Sequence, residues 1–433
     1  MRDNSLYCGL LYRLTDWADK HNYTWAFKDN KFYGLPHEED ELVTQTGVEL
    51  FMKSILKGIS PREYQIKAVF EALRYNRKTI VSPTSSGKSA IIYSITRYHI
   101  SNKRRVLIIV PSTQLVEQMY KDFWEYGWDV ESKVHKIYSG YEHHTDKSVV
   151  ISTWQSLQNH HSKWFEPFDT VIVDECHSAK ASSLKKIMEQ CKDSKYRYGL
   201  TGTLTNGDNS STCNKLVIEG LFGPVYQVIK TKELMDAGYV AKLNTHVITL
   251  IHQKNKFYNY NDEIEFLCQC EPRNKFLSKL TTTLKGNNLI LFSRVEQHGI
   301  PLFNLIKEMT DRPVYLIYGG VDVEDREKVR EITERSNDAI IVASYGTMST
   351  GISIKRLNNI IFASPSKSRI RVLQSIGRVL RKAMDKDKAN LYDISDDFQT
   401  NNYTLKHLEE RVKFYISEDF NYDIHNINLH YDK

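Results

Sequence analysis

Short apolar runs rich in Val and Ile recur along the chain, with segments of helical spacing between them. "KTIV" leads through "SPTSSGKS" into "AIIYSITRYHI", and "RVLIIVPS" precedes "QLVEQMYKDFWEY"; "SVVISTW" and "TVIVDE" follow. The series restarts from about Asn274 with "NLILFS", "VYLIYGG", "AIIVASYG" and "NIIFAS". β-Branched runs of this length, alternating with helices, pack as parallel strands covered on both faces. The expected fold class is therefore α/β, with two tandem doubly wound parallel-sheet domains. A length of 433 residues agrees, because single cores rarely grow that large.

The expected domain plan is a small accessory region over 1–58, a first α/β domain over 59–230, a second over 231–403, and a helical tail over 404–433. "FGPVYQVIKTKELMDAGYVAKL", punctuated by Gly223-Pro224 and Gly238, reads as the linker. The accessory region predicts a helix through "GLLYRLTDWADKH" and a short strand at "YTWAF". In the tail, "LKHLEERVKFYI" has the apolar spacing of an amphipathic helix.

Composition excludes more than it selects. No run approaches the ~20 apolar residues that cross a bilayer, and the N-terminus lacks a signal-peptide pattern, so a membrane is not an expected partner. Cysteines at 8, 176, 191, 213, 268 and 270 form no disulfide framework and suit a reducing cytosol. Cys268 and Cys270 make a Cys-x-Cys pair that no Cys/His set with zinc spacing completes. The net charge of +6 is a mild lean compatible with nucleic acid.

Chemistry enters at "SPTSSGKS". A strand–loop–helix unit with Gly-Lys-Ser directs backbone N–H groups and a helix dipole at phosphates. Gly87 permits close approach, Lys88 neutralises phosphate charge, and Ser89 offers a hydroxyl to Mg²⁺. Ser82 stands where a phosphate loop usually begins with glycine. Further on, "VIVDECH" ends an apolar strand in Asp174 and Glu175, at the sheet edge where ligands bind. Asp174 is expected to hold Mg²⁺ and Glu175 to orient or deprotonate the attacking water. In "QSIGRVLR", Arg378 and Arg381 are three apart on a predicted helix and read as arginine fingers for a γ-phosphoryl group. The set predicts ATP and Mg²⁺ as cofactors, with hydrolysis coupled to domain closure.

At this point the sequence resembles superfamily 2 helicases. "PREYQ" is similar to the adenine-reading motif, "SPTSSGKS" to motif I, "VPSTQLVEQ" to motif Ia, and "STWQSL" to the following nucleic-acid motif. "DECH" is similar to motif II, "GLTGTL" to motif III, "LILFSR" to motif IV, "ASYGTMSTGIS" to motif V, and "QSIGRVLR" to motif VI. The resemblance spans residues 59 to about 385. The run "TWQSL…VDECHSA…ASYGTMSTGISIKRLNNIIFA…VLQSIGRVLRK" resembles UvsW-like recombination helicases of T-even phages, with a shortened N-terminal region.

The resemblance implies RecA-like domains, with ATP contacts from Arg62, Gln65, Ser86, Gly87, Lys88, Ser89 and Gly351. It implies catalytic roles for Lys88, Asp174, Glu175, Gln374, Arg378 and Arg381. It also implies nucleic-acid contacts from Thr113, Thr153, Trp154, Gln155, Arg294, Thr347 and Thr350. Thr201-Gly202-Thr203 departs from the usual Ser-Ala-Thr of motif III but keeps its hydroxyls. The implied function is ATP-driven remodelling of branched or double-stranded DNA, and of RNA–DNA hybrid, by a monomer in the cytoplasm of an infected host cell. That covers Holliday-junction migration, fork regression and unwinding of D-loops and R-loops. An RNA helicase, a non-motor clamp on branched DNA and a restriction-type motor subunit are the rival readings.

Overall fold

Every residue of β1 (Arg77–Val81), β2 (Val106–Val110), β4 (Val149–Thr153) and β5 (Thr170–Asp174) is buried. Strands buried on both faces must be covered by helices on both sides, which is why these runs do not alternate apolar with polar. With β3 (Val134–Ile137), β6 (Tyr196–Thr201) and β7 (Val225–Gln227) they form a parallel sheet of order β3-β4-β2-β5-β6-β1-β7. The computed structural model describes residues 6–27, 42–180, 182–204, 210–349, 354–383 and 386–431. The chain divides into two units, Met1–Ile229 and Lys230–Lys433.

The second unit holds β8 (Lys242–Ile251), β9 (Asn287–Phe292), β10 (Val314–Ile317), β11 (Ile340–Ser344), β12 (Leu357–Phe362), β13 (Lys388–Asp397) and β14 (Tyr422–Asn428). They form a second parallel sheet of seven strands, ordered β10-β11-β9-β12-β13-β8-β14. Counted from its own first strand, this order repeats that of the first sheet position for position. The expected α/β class with two parallel sheets is what the chain adopts.

Several local expectations differ. "YTWAF" is not a strand; Tyr23 instead stacks on Trp17 of the helix Leu11–Lys20, 5.5 Å between centroids. That helix docks through Glu219, a buried carboxylate that accepts from Arg13 Nη2 at 2.7 Å and Tyr12 Oη at 2.8 Å. Gly9 packs so tightly there that a Cβ would meet the Glu219 carbonyl at 2.0 Å. The Gly223-Pro224 stretch is no free linker. Thr79 Oγ1 donates to Gly223 O at 2.8 Å, Thr79 N donates to Pro224 O at 2.9 Å, and β7 follows as an edge strand.

The second sheet begins with β8, well before Asn274. The segment from Thr404 contributes both a helix and a strand to it. The helix Tyr403–Ser417 is capped by a tertiary carboxylate: buried Glu263 accepts from Tyr403 N and Thr404 N, each at 2.8 Å. Arg411 of this helix is fully buried and donates through Nε to Asp393 of β13 at 2.9 Å. Tyr415 Oη donates to the same carboxylate at 2.8 Å.

Removing one member of a buried ion pair strands the other, at a cost of roughly 3–5 kcal/mol. Arg411→Met is therefore expected to destabilise the second unit by about that amount. All the tryptophans lie before residue 230, so chemical denaturation separates the units. The circular-dichroism transition should move to lower denaturant while the tryptophan-fluorescence transition stays put. Coincident shifts in both signals would overturn this account.

Candidate active site and nucleic-acid face

The register of three strands assembles the first half of the site. β6 lies between β5 and β1, pairing Leu200 with Asp174 and Thr201 with Val81. The phosphate loop, the Asp174-Glu175 pair and Thr201-Gly202-Thr203 therefore leave the sheet at one edge. This is the C-terminal edge of a parallel sheet, where chain ends diverge and leave a crevice.

Ser82 answers for the missing glycine. Ser82 is not among the positive-φ residues of the loop; that conformation falls on Ser85 at φ 70° and Gly87 at φ 83°. Its hydroxyl meets Ser86 Oγ at 2.6 Å, and Ser86 Oγ lies 2.6 Å from the Pro83 carbonyl. The serines thus brace the loop from inside. Gly87 is the N-cap of the helix Lys88–Ser101, and a Cβ there would meet Gln65 Nε2 at 2.4 Å.

Gln65 itself is buried, with both ends of its amide engaged. Its Oε1 accepts from Arg62 N at 2.9 Å and its Nε2 donates to Ser86 O at 2.9 Å. Tyr64, outside the expected site residues, donates to Ser86 O at 2.7 Å and accepts from Arg62 Nη1 at 2.7 Å. The "PREYQ" segment is fastened to the phosphate loop by two side chains. A polar aromatic immediately before the glutamine was the available signal.

Lys88 Nζ lies 3.0 Å from Glu175 Oε1. Burial disfavours the ammonium, but Glu175 and Asp174 outweigh it and its pKa is raised. Burial likewise opposes the Glu175 carboxylate, yet Lys88 and His177 hold its pKa well below the usual range. Asp174 shows the reverse: burial, with Glu175 beside it, pushes its carboxyl up to about 6 despite Lys88. Glu175 sits in left-handed backbone, φ 53°, with its N–H donating to Asp174 Oδ1 at 2.9 Å. His177 Nδ1 lies 2.9 Å from Thr201 Oγ1 and 3.2 Å from Glu175 Oε2, so the third motif touches the acidic pair directly.

Ser89 and Asp174 supply a hydroxyl and a carboxylate, hard oxygen donors of the kind Mg²⁺ takes. Ser89 Oγ is engaged with Tyr126 Oη at 2.8 Å, a partner no motif announced. The donor chemistry fits the ion, and a cation beside Asp174 would offset the burial that opposes its carboxylate.

The expected nucleic-acid residues fall on two sheet edges, one in each unit. In the first, β2 and β4 pair Val110 with Thr153, which brings "PST" and "STWQ" together. Thr113 is exposed at the start of the helix Thr113–Glu125, and exposed Gln155 reaches the Pro111 carbonyl at 3.5 Å. Thr153 is buried and caps its own short helix, its Oγ1 accepting from Ser156 N at 3.4 Å. Trp154 packs against the core cluster of Leu107, Val150 and Leu157.

In the second unit β9 and β11 are neighbours, so Arg294 and Thr347 follow strands ending side by side. Arg294 Nη1 donates to Gln297 Oε1 at 2.6 Å, and Thr347 Oγ1 meets Ser344 Oγ at 2.9 Å. Thr350 and Gly351 lie outside the described residues.

Gln374 and Arg378 lie on the helix Arg369–Val379, but Arg381 does not. The helix closes at Leu380, whose carbonyl accepts from Ala241 N at 2.8 Å. Lys386 holds the turn beyond it. Its buried ammonium donates to the carbonyls of Val379, Arg381 and, at 3.1 Å, Lys355. Arg381 therefore lies just past the helix C-cap, with its carbonyl held by Lys386. Sequence alone gives no sign of this, since Lys386 lies in a run of ordinary charged residues.

Comparison with known proteins agrees with this layout. Residues 58–206 match the family "Type III restriction enzyme, res subunit", and residues 272–383 match "Helicase conserved C-terminal domain". The ATP-dependent DNA helicase UvsW of Enterobacteria phage T4 is 36% identical over 398 residues, covering 86% of this chain and 78% of that protein. A fragment described as an HsdR subunit of a type I restriction enzyme from Vibrio vulnificus shares the fold with a TM-score of 0.66. It is 16% identical and covers 98% of this chain and 84% of its own. Dbp5 of S. cerevisiae, bound to RNA and ADP BeF3, shares the fold with a TM-score of 0.57 at 13% identity, covering 85% of this chain and 94% of its own. On the motif order, the paired parallel sheets and the extent of that 36% identity, the chain belongs to the UvsW-like superfamily 2 helicases, ATP-dependent DNA helicases that hydrolyse ATP.

Proposed function

We propose that this helicase is a motor for branched DNA, driving Holliday-junction migration, fork regression and the unwinding of D-loops and R-loops. The observation that carries the motor reading is the contact of Lys88, Glu175, His177 and Thr201 at one sheet edge. The choice of branched DNA rests on the likeness to phage T4 UvsW.

In this reading Ser86, Gly87 and Lys88 hold the β- and γ-phosphates at the helix N-terminus. Arg62 and Gln65 serve the nucleotide, Gln65 first of all as a brace of the loop. Ser89 and Asp174 would hold Mg²⁺, which would supply charge neutralisation at the phosphates. Glu175, held ionised by Lys88 and His177, orients or deprotonates the attacking water. Gln374, Arg378 and Arg381 steady charge on the transferring phosphoryl group, with Gly351 beside the nucleotide.

Thr113, Gln155, Arg294, Thr347 and Thr350 contact phosphates rather than bases, so binding tolerates sequence and weakens with salt. Thr153 and Trp154 support that face from beneath, as cap and packing residue.

Steady-state ATPase at one fixed salt should rise most with junction or forked DNA, less with linear duplex and least with single-stranded RNA. Stimulation by RNA alone would reassign the substrate. Lys88→Ala should abolish turnover and leave junction binding in a mobility-shift assay nearly unchanged. Arg381→Ala should lower kcat by about two orders of magnitude or more with little change in ATP affinity; a pure affinity defect would remove its role. Gln65→Ala should weaken ATP and GTP alike, because the loop loses its brace. Loss of ATP affinity alone would make Gln65 a base reader instead.

A further inference from the structure

The edge strand β14 carries Asp423 and His425 two residues apart, hence on one face, and β8 carries His246 in register with Asp423. On the other side Tyr392 of β13 is in register with His246. Its ring stacks on the imidazole, 5.1 Å between centroids and 25° between planes, and so fixes the imidazole plane. One ligand-type atom from each of His246, Asp423 and His425 lies within 4.8 Å of the other two.

His246 Nδ1 and Asp423 Oδ2 are 3.8 Å apart, too long for a direct hydrogen bond. The groups converge without satisfying one another. Beside them a cavity of about 390 Å³, lined by Asn244, Thr245, Phe420 and Tyr422 among others, leaves room for water.

From this geometry we infer that His246, Asp423 and His425 form a binding site for a divalent transition-metal ion of the zinc class. Two imidazole nitrogens and one carboxylate suit Zn²⁺, Co²⁺ or Ni²⁺, whereas Mg²⁺ and Ca²⁺ prefer all-oxygen sets. Metal–ligand bonds of ~2.0–2.1 Å in a tetrahedral site place donors about 3.3 Å apart. The donors must therefore draw in from their present spread. The Asp423 side chain is 73% exposed and His425 is exposed too, so rotation about their side-chain bonds suffices. His246 is the anchored ligand.

The site completes its sphere with water from the adjoining cavity. Its effect is to staple the last strand to β8, on an edge whose residues are otherwise largely exposed. It shares no residue with the Ser89–Asp174 pair.

The test is Co²⁺ titration of the chelator-treated full chain without nucleotide, followed by visible absorption. A single Co²⁺ should bind, be displaced by Zn²⁺, and withstand a large excess of Mg²⁺. Asp423→Asn and His425→Ala should each weaken binding by about tenfold or more, and the double variant should abolish it. Zn²⁺ should raise the thermal midpoint of the second unit in the parent chain but not in the double variant. Unchanged DNA-stimulated ATPase confirms that the variants are folded. Asp174→Asn should leave the Co²⁺ spectrum intact. No Co²⁺ binding to the parent chain, or binding that survives the double variant, would overturn the site.

Discussion

The ion pair between Lys88 and Glu175 is the contact on which the rest of the first unit is arranged. At 3.0 Å, with side chains only 14% and 17% exposed, it is too dry to be ornamental and too open to be sealed. Glu175 reaches it from left-handed backbone, which turns the chain sharply at the end of β5. The same turn leaves Asp174 buried and its carboxyl pushed up to about 6. Two adjacent carboxyls thus differ in character because Lys88 and His177 together outweigh burial at Glu175, whereas burial outweighs Lys88 at Asp174. An anion that draws Lys88 toward itself changes both, since Glu175 loses its partner and the shared charge around Asp174 shifts. Thr201 and His177 stand against Glu175, so any such change is passed to the third motif without an intervening residue.

Eight of the strands were legible because parallel strands buried on both faces leave uninterrupted β-branched runs. Six strands lie outside the runs read from the sequence: β3, β6, β7, β8, β13 and β14. β7 has only three residues and follows a Gly-Pro turn, and β14 alternates Asp, His and Asn on an exposed edge. β8 ends in a run of the same kind, Val247–Ile251, but its first half carries Asn, Thr and His.

At the site the motif residues announced themselves by spacing, but their supports did not. Tyr126 and Lys386 act through a single hydroxyl or backbone carbonyls. Such partners carry no sequence signature, because any residue offers a carbonyl. The placement of Arg381 shows the cost: spacing suggested a helix, while the turn is set by a lysine five residues later.

The two sheets follow one strand plan and reach opposite chemical ends. β8 takes in the second sheet the place that β1 takes in the first, and β13 takes the place of β6. β1 leads into a phosphate loop, but β8 leads into His252, whose Nε2 meets Asp396 at 2.9 Å. Arg273 donates to the same carboxylate through Nε at 2.8 Å and Nη2 at 3.0 Å. The side chains of Arg273 and Asp396 are 1% and 0% exposed. Burial should raise the Asp396 carboxyl, yet Arg273 and His252 hold it at about 2. Each edge thus sets basic groups against acidic ones, and burial decides the outcome. Where the pair keeps some exposure, its charges can be turned on a phosphate. Where it is sealed and every carboxylate oxygen has a donor, a ligand would have to break a buried pair to enter, at a cost few ligands repay. The second unit therefore closes with protein charge the position at which the first unit opens to nucleotide.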